Sequence, residues 1–123
     1  MFELTVERQF AAAHYLRGYA GPCARLHGHN YRVRVSFQGE ALDEGGFLLD
    51  FAVLKRLCEE AVAPLDHQCL NDLGAFAERN PTAEVLAEYL YRELAQSSAG
   101  LPAQVAAVTV YESDTAAVTY REG

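Results

Sequence analysis

The chain is short of positive charge. Ten Lys and Arg stand against seventeen Asp and Glu, a formal net charge of −7, and Lys55 is the only lysine. General nucleic-acid binding and anionic-membrane binding both want a basic face, so neither partner is expected. A small anionic substrate stays open, because a few local arginines suffice to hold one. The three cysteines, Cys23, Cys58 and Cys69, are an odd number without paired spacing. A disulfide framework is not expected, and free thiols in a reducing compartment are the default. No apolar run approaches the length of a membrane span. Met1-Phe2-Glu3-Leu4 is acidic and alternating, unlike a basic-then-apolar signal peptide, so the expected location is cytoplasmic. No repeat, low-complexity segment or linker divides the chain. One domain over residues 1–123 is expected, large enough to bury a core without disulfides.

What the chain does have is concentrated in Cys23-Ala24-Arg25-Leu26-His27-Gly28-His29-Asn30-Tyr31. Beyond it, Tyr31, Val33, Val35 and Phe37 alternate with Arg32, Arg34, Ser36 and Gln38, the pattern of a strand with one buried face. His27 and His29 are in phase with the apolar set. Phe2 to His14 reads as an earlier strand, with Leu4, Val6, Phe10, Ala12 and His14 on one parity and Arg8 interrupting it. Gly18, Gly21 and Pro22 make the intervening segment a loop. If the two strands form an antiparallel hairpin, His14 meets His27 and His29 at its loop end. Three inward imidazoles suit Zn²⁺ and leave one tetrahedral position open, the pattern of a catalytic site. The competing explanation is a set of unrelated core or surface histidines.

Asp50 is an expected N-cap for a helix with Phe51, Leu54, Leu57, Cys58, Ala61 and Val62 at helical spacing, stopped by Pro64. Cys58 belongs to its packing face. Leu65 to Asn80 reads mostly as loop. Asn80-Pro81 opens a second helix, with Pro81 at its first position and Val85, Leu86, Tyr89, Leu90 and Leu94 as its apolar stripe. It ends near Gly100 and Pro102. Val105 to Glu112 and Ala116 to Arg121 read as strands joined at Ser113-Asp114. The order strand-strand-helix-helix-strand-strand predicts an α+β fold: an antiparallel four-stranded sheet with both helices on one face. The other face is more polar, suited to solvent or a partner subunit.

Four further features carry chemistry. Cys23, in a Gly/Pro loop four residues before His27, could be a fourth metal ligand or a thiol activated by the ion and Arg25; spacing alone leaves these even. Asp66-His67 can hydrogen-bond in a turn, the carboxylate orienting the imidazole. Cys69 is read as packing. Glu112 continues an apolar face, where a lone carboxylate is expensive. It either pairs with an arginine such as Arg121 or accepts two N–H bonds from a guanidine-like heterocycle edge.

Taken in order, Phe10-Ala11-Ala12-Ala13-His14, Cys23 to Tyr31, Leu49-Asp50-Phe51, Leu65-Asp66-His67, Asn80-Pro81-Thr82-Ala83-Glu84 and Tyr111-Glu112-Ser113-Asp114-Thr115 resemble the 6-pyruvoyl-tetrahydropterin synthase / 6-carboxy-tetrahydropterin synthase family over nearly the whole length. The resemblance implies the tunnelling fold (T-fold). It implies His14, His27 and His29 as zinc ligands, Cys23 as catalytic base rather than ligand, and Asp66 and His67 as proton relay. It implies Glu112 as pterin anchor, sometimes grouped with the relay, and Thr82 and Glu84 as lining of the pterin pocket. Ala83 stands where relatives often carry a hydroxyl. The Cys-x-x-x-His-Gly-His spacing resembles the 6-carboxy branch of the queuosine (7-deazaguanine) pathway. That branch implies conversion of 7,8-dihydroneopterin triphosphate to 6-carboxy-5,6,7,8-tetrahydropterin, acetaldehyde and triphosphate, in a homohexamer built as a dimer of trimers. Arg17, Arg25 or Arg32 are the arginines that could hold the triphosphate. The alternatives are a 6-pyruvoyl-tetrahydropterin synthase, a non-catalytic zinc module closed by Cys23, and a pterin-binding protein without turnover.

Overall fold

A computed structural model describes all 123 residues, Met1–Gly123. Strand β1 (Phe2–His14) and strand β2 (His27–Gly39) form a long antiparallel hairpin, followed by helix α1 (Phe51–Val62), a two-residue strand β3 (Gln68–Cys69), helix α2 (Ala83–Ser97) and the hairpin of β4 (Gln104–Ser113) and β5 (Ala116–Tyr120). The sheet runs β3-β1-β2-β4-β5. It therefore has five strands where four were expected. The fifth, β3, runs parallel to β1 and pairs only at Ala12–Gln68 and Ala13–Cys69. Two residues are too few to leave an alternation pattern, so this segment reads as loop.

The period-2 pattern of β1 and β2 decides which face is buried. Val6, Phe10, Ala12 and His14 from β1, Tyr31, Val33, Val35 and Phe37 from β2, and Val108 and Val110 from β4 are all buried. They pack under Leu54, Leu57, Cys58 and Val62 of α1 and Leu86, Ala87, Leu90 and Leu94 of α2 in one continuous core. Burying side chains of this size contributes about 1.5–3 kcal/mol each. Arg8, the exception on the inward parity of β1, is only partly covered. Its Nε is buried 3.2 Å from the Glu59 carboxylate on α1 without a hydrogen bond to it, at the margin of the core.

The helix ends are capped by side chains. Asp50 accepts the Ala52 N–H at 2.8 Å, and Thr82 accepts the Val85 N–H at 3.1 Å. Helix α2 thus begins at Ala83 with Thr82 as its N-cap, and Pro81 precedes the cap instead of occupying the first helical position. The last hairpin turns at Asp114–Thr115, one residue later than Ser113-Asp114. Gly39 is a close approach: a Cβ there would collide with the Pro102 carbonyl and the Leu48 side chain. No helix is long and apolar enough to cross a membrane.

Candidate metal and pterin site

The β1–β2 register sets His14 opposite His27 and Ala12 opposite His29. His14, His27 and His29 point the same way because they share parity, and their rings lie with centroids 4.5–5.1 Å apart. Each offers one ring nitrogen to a common centre, these atoms lying within 4.8 Å of one another. His14 is buried, and its Nδ1–H donates to the Pro81 carbonyl at 2.7 Å. His27 Nδ1–H donates to the Arg25 carbonyl at 2.7 Å. Those bonds fix both tautomers with Nδ1 protonated, leaving the Nε2 lone pairs free. The two Nε2 atoms then face each other at 3.0 Å.

His29 Nε2 is buried without a hydrogen-bond partner. Two opposed lone pairs and a buried orphan nitrogen are costly in a protein interior. A cation accepting all three removes that cost. Three converging imidazole nitrogens, two of them with their tautomers already set, are a donor set of the kind that Zn²⁺ accepts. Burial also pushes the His14 pKa below the usual histidine range, ahead of the Pro81 carbonyl, which opposes it. The neutral, metal-binding form is thereby favoured. This group can hold a metal ion.

Glu112 lies beside the cluster, its Oε1 4.0 Å from His14 Nε2. Of the two readings of Glu112, the pairing with an arginine such as Arg121 is not seen: Glu112 faces the imidazoles and Arg121 lies at a different cleft. Glu112, Thr82 and Glu84 line one cleft of about 320 Å³, with Leu16, Ala83 and Ala116 among its walls. The three residues assigned to a heterocycle pocket are therefore brought together next to the histidines. Burial keeps the Tyr31 phenol protonated behind them by raising its pKa, with Glu112 adding to the effect.

Cys23 is exposed, in the short 3₁₀ turn Pro22–Ala24, and is not in the group of converging ligands. Cys58, in contrast, is buried with its thiol pushed up to about 12 by burial. Asp66 and His67 form the expected pair, Oδ1 to Nδ1 at 3.0 Å, at the outer edge of β1 and outside the group of three converging imidazoles. Asp66 accepts the Ala11 N–H at 2.9 Å and the His67 N–H donates to the Ala11 carbonyl at 2.6 Å. His67 adopts φ 59°, the left-handed region, and its side chain is 81% exposed. It borders a shallow cleft of about 480 Å³ that crosses Ala11, Ala13 and Gly28 to His29.

Of the arginines considered for an anion, Arg17 gives its guanidinium to the Phe76, Ala77 and Arg79 carbonyls. Arg32 stacks on Tyr111 at 3.8 Å and faces Glu7. Arg25 makes no ion pair. The residues that sequence reasoning did not assign to the site are Pro81 and Arg25 through their carbonyls, and Asn71 and Asn80 through amide bonds to the loop backbone. A backbone acceptor has no side-chain signature. The Asn80-Pro81 step reads in sequence as a helix start and as part of a family-like segment, neither of which signals the Asn80 amide bonds.

The chain is 41% identical over 95 residues to the 6-carboxy-5,6,7,8-tetrahydropterin synthase of Bacillus subtilis, covering 73% of this chain and 63% of that protein's length. It is 37% identical to the protein of the same name from Synechocystis, covering 98% of this chain and 93% of that one. The solved 6-pyruvoyl tetrahydropterin synthase of Caenorhabditis elegans superposes with a TM-score of 0.84 at 30% identity, over 100% of this chain and 98% of the other. The α+β plan is thus that of the tunnelling-fold synthases. With residues 3–123 matched by the family model for 6-pyruvoyl tetrahydropterin synthase, the chain belongs to the 6-pyruvoyl tetrahydropterin synthase family.

Proposed function

We propose that the protein is a zinc-dependent 6-carboxy-5,6,7,8-tetrahydropterin synthase. It converts 7,8-dihydroneopterin triphosphate to 6-carboxy-5,6,7,8-tetrahydropterin, acetaldehyde and triphosphate, in the cytoplasm, on the route to queuosine and related 7-deazaguanines. The observation that carries this is the convergence of His14, His27 and His29 beside the Glu112 cleft. Support for the 6-carboxy branch over the 6-pyruvoyl branch comes from the Cys23-x-x-x-His27-Gly28-His29 spacing and from the names of the Bacillus and Synechocystis relatives.

The roles follow from what each group can do. His14, His27 and His29 would hold the zinc ion, which when bound would supply Lewis-acid polarisation of the substrate's side-chain oxygens and so acidify the neighbouring C–H and O–H groups. Glu112 accepts two N–H bonds from the guanidine-like edge of the pterin and orients it. Thr82 and Glu84 form the wall beside it. The Cys23 Sγ, as thiolate, removes a proton from the side chain. His67 moves protons on the other side through its Nε2, since Asp66 holds its Nδ1. Arg25, the arginine of the three without a competing partner, takes the triphosphate.

The protein works as a homohexamer, a dimer of trimers. Two features support assembly between copies. β1 carries β3 only at Ala12 and Ala13, so the rest of its outer edge is free to pair. His67 is displayed on that same side, exposed and reachable by a neighbour's site.

The test is to incubate the zinc-loaded protein with 7,8-dihydroneopterin triphosphate and weigh the products. Acetaldehyde with a 6-carboxy pterin is the expected outcome. A diketo side chain assigns the 6-pyruvoyl branch instead, and no conversion rejects both. Thiol titration separates the closed zinc module, since a coordinated Cys23 is shielded and a free one reacts.

A further inference from the structure

The loop that carries Cys23 is held at its root by an unusual set of bonds. Beyond the end of β1, Tyr15 uses both of its backbone groups on one side chain: its N–H donates to Asn71 Oδ1 at 3.0 Å and its carbonyl accepts from Asn71 Nδ2 at 2.9 Å. Arg17 repeats this with Asn80, N–H to Oδ1 and Nδ2 to carbonyl, both at 2.8 Å. Leu16, between them, donates its N–H to the Cys23 carbonyl at 3.0 Å. In a strand, alternate residues bond to opposite sides. Past the end of β1, residues 15–17 thus keep a strand-like alternation of bonding, with two carboxamides standing in for a neighbouring strand on one side and the Cys23 peptide bonded on the other. A carboxamide suits this role because it offers a donor and an acceptor in one plane, as a peptide does.

The same fastening reaches the metal ligand. Asn80 is followed by Pro81, whose carbonyl accepts from His14 Nδ1 at 2.7 Å. The Asn80 carbonyl accepts the Thr82 N–H at 2.8 Å. The Arg17 guanidinium stiffens this segment by donating to the carbonyls of Phe76 at 2.6 Å, Ala77 at 2.8 Å and Arg79 at 3.4 Å. Leu16 itself walls the cleft shared by Glu112 and Thr82. One clamp therefore joins the Cys23 backbone, the cleft wall and the segment that orients His14.

We propose that Asn71, Asn80 and Arg17 are positioning residues that set the Cys23 thiol relative to the His14 end of the site. None of the three touches the reacting atoms. Their effect on turnover rests on the role given to Cys23 above, whereas their effect on the loop does not. A displacement of about 1 Å in such a group can cost on the order of 10²-fold in rate.

The test uses the zinc-loaded full chain with Asn71→Asp, Asn80→Asp and Arg17→Lys. Aspartate keeps the shape and the acceptor but removes the donor. Amide exchange at Leu16 is expected to accelerate about 10-fold or more, with the amides of α2 and β4 unchanged. Turnover is expected to fall about 10–100-fold in kcat with KM within about twofold. In a Cys23→Ser background the same changes are expected to cost less than about twofold, because the group they position is gone. Unchanged exchange at Leu16 overturns the proposal. So does an equal kcat loss in the Cys23→Ser background, or a loss of zinc that accounts for the loss of turnover. If the parent converts no pterin, the enzymatic assignment fails and the Leu16 exchange alone decides whether the clamp exists. Should Asn80→Asp or Arg17→Lys fail to fold, Asn71→Asp, remote from Pro81 in sequence, answers the same question.

Discussion

The four histidines of this chain occupy two contrasting settings. His14 and His27 are locked, each with Nδ1–H given to a backbone carbonyl and Nε2 turned toward the other, and His29 brings a third ring nitrogen to the same group. His67 sits on a left-handed backbone at a sheet edge, its ring 81% exposed and tied only to the adjacent Asp66. The difference is one of degrees of freedom. An imidazole whose far nitrogen is pinned to the main chain has one orientation and one tautomer, the condition a metal ligand needs. The His67 imidazole is held by a carboxylate on one side and left open on the other. The sheet builds the first kind from its interior parity and the second kind from its rim.

The contrast breaks most sharply at the locked cluster. His14→Ala is expected to lower metal affinity by more than the roughly 10–100-fold that losing an outer partner costs, and to remove turnover with it. Metal analysis of the purified variant beside the parent checks this; full metal content in the variant would separate His14 from the ligand set. His67→Ala is expected to do the opposite. Metal content stays at the parent level while kcat falls about 10²–10⁴-fold, the range for a lost general acid or base. If His67→Ala loses its metal, the division between the two settings is wrong.

How far sequence alone reaches can be seen within these same residues. The hairpin, its inward face and the meeting of His14 with His27 were all legible, because alternation over thirteen residues on each strand admits one phase, and a one-residue slip would expose every inward side chain. Glu112 was legible for the same reason, two residues beyond the buried Val110. β3 was not, since Gln68–Cys69 pairs by tertiary context and shows no period. Pro81 was placed two residues too deep in α2: a helix-start signal does not distinguish a proline at the first turn from one before a threonine cap. Its carbonyl, which orients His14, and the Asn71 and Asn80 amides act on backbone groups that every residue carries, so composition and spacing leave no trace of them.

The smallest expected effect concerns how the rim setting is secured. The Asp66 carboxyl is held below its usual range first by the Ala11 N–H, and further by His67 beside it, against opposing burial. A carboxyl whose folded pKa lies below its unfolded one binds fewer protons folded than unfolded. Its contribution to stability is therefore complete above the unfolded value, near pH 4, and is lost as pH falls through the lower folded value. Asp66→Asn keeps an acceptor for Ala11 but has no charge to titrate. Thermal melts from pH 6 down to pH 3 are therefore expected to show a flatter acid limb in the variant than in the parent. The other depressed carboxylates, Glu7 and Glu88, bond to arginines elsewhere and contribute equally to both proteins. Parallel acid limbs would mean that Asp66 anchors the rim through shape alone, and that the charge beside His67 belongs to its chemistry and not to its fold.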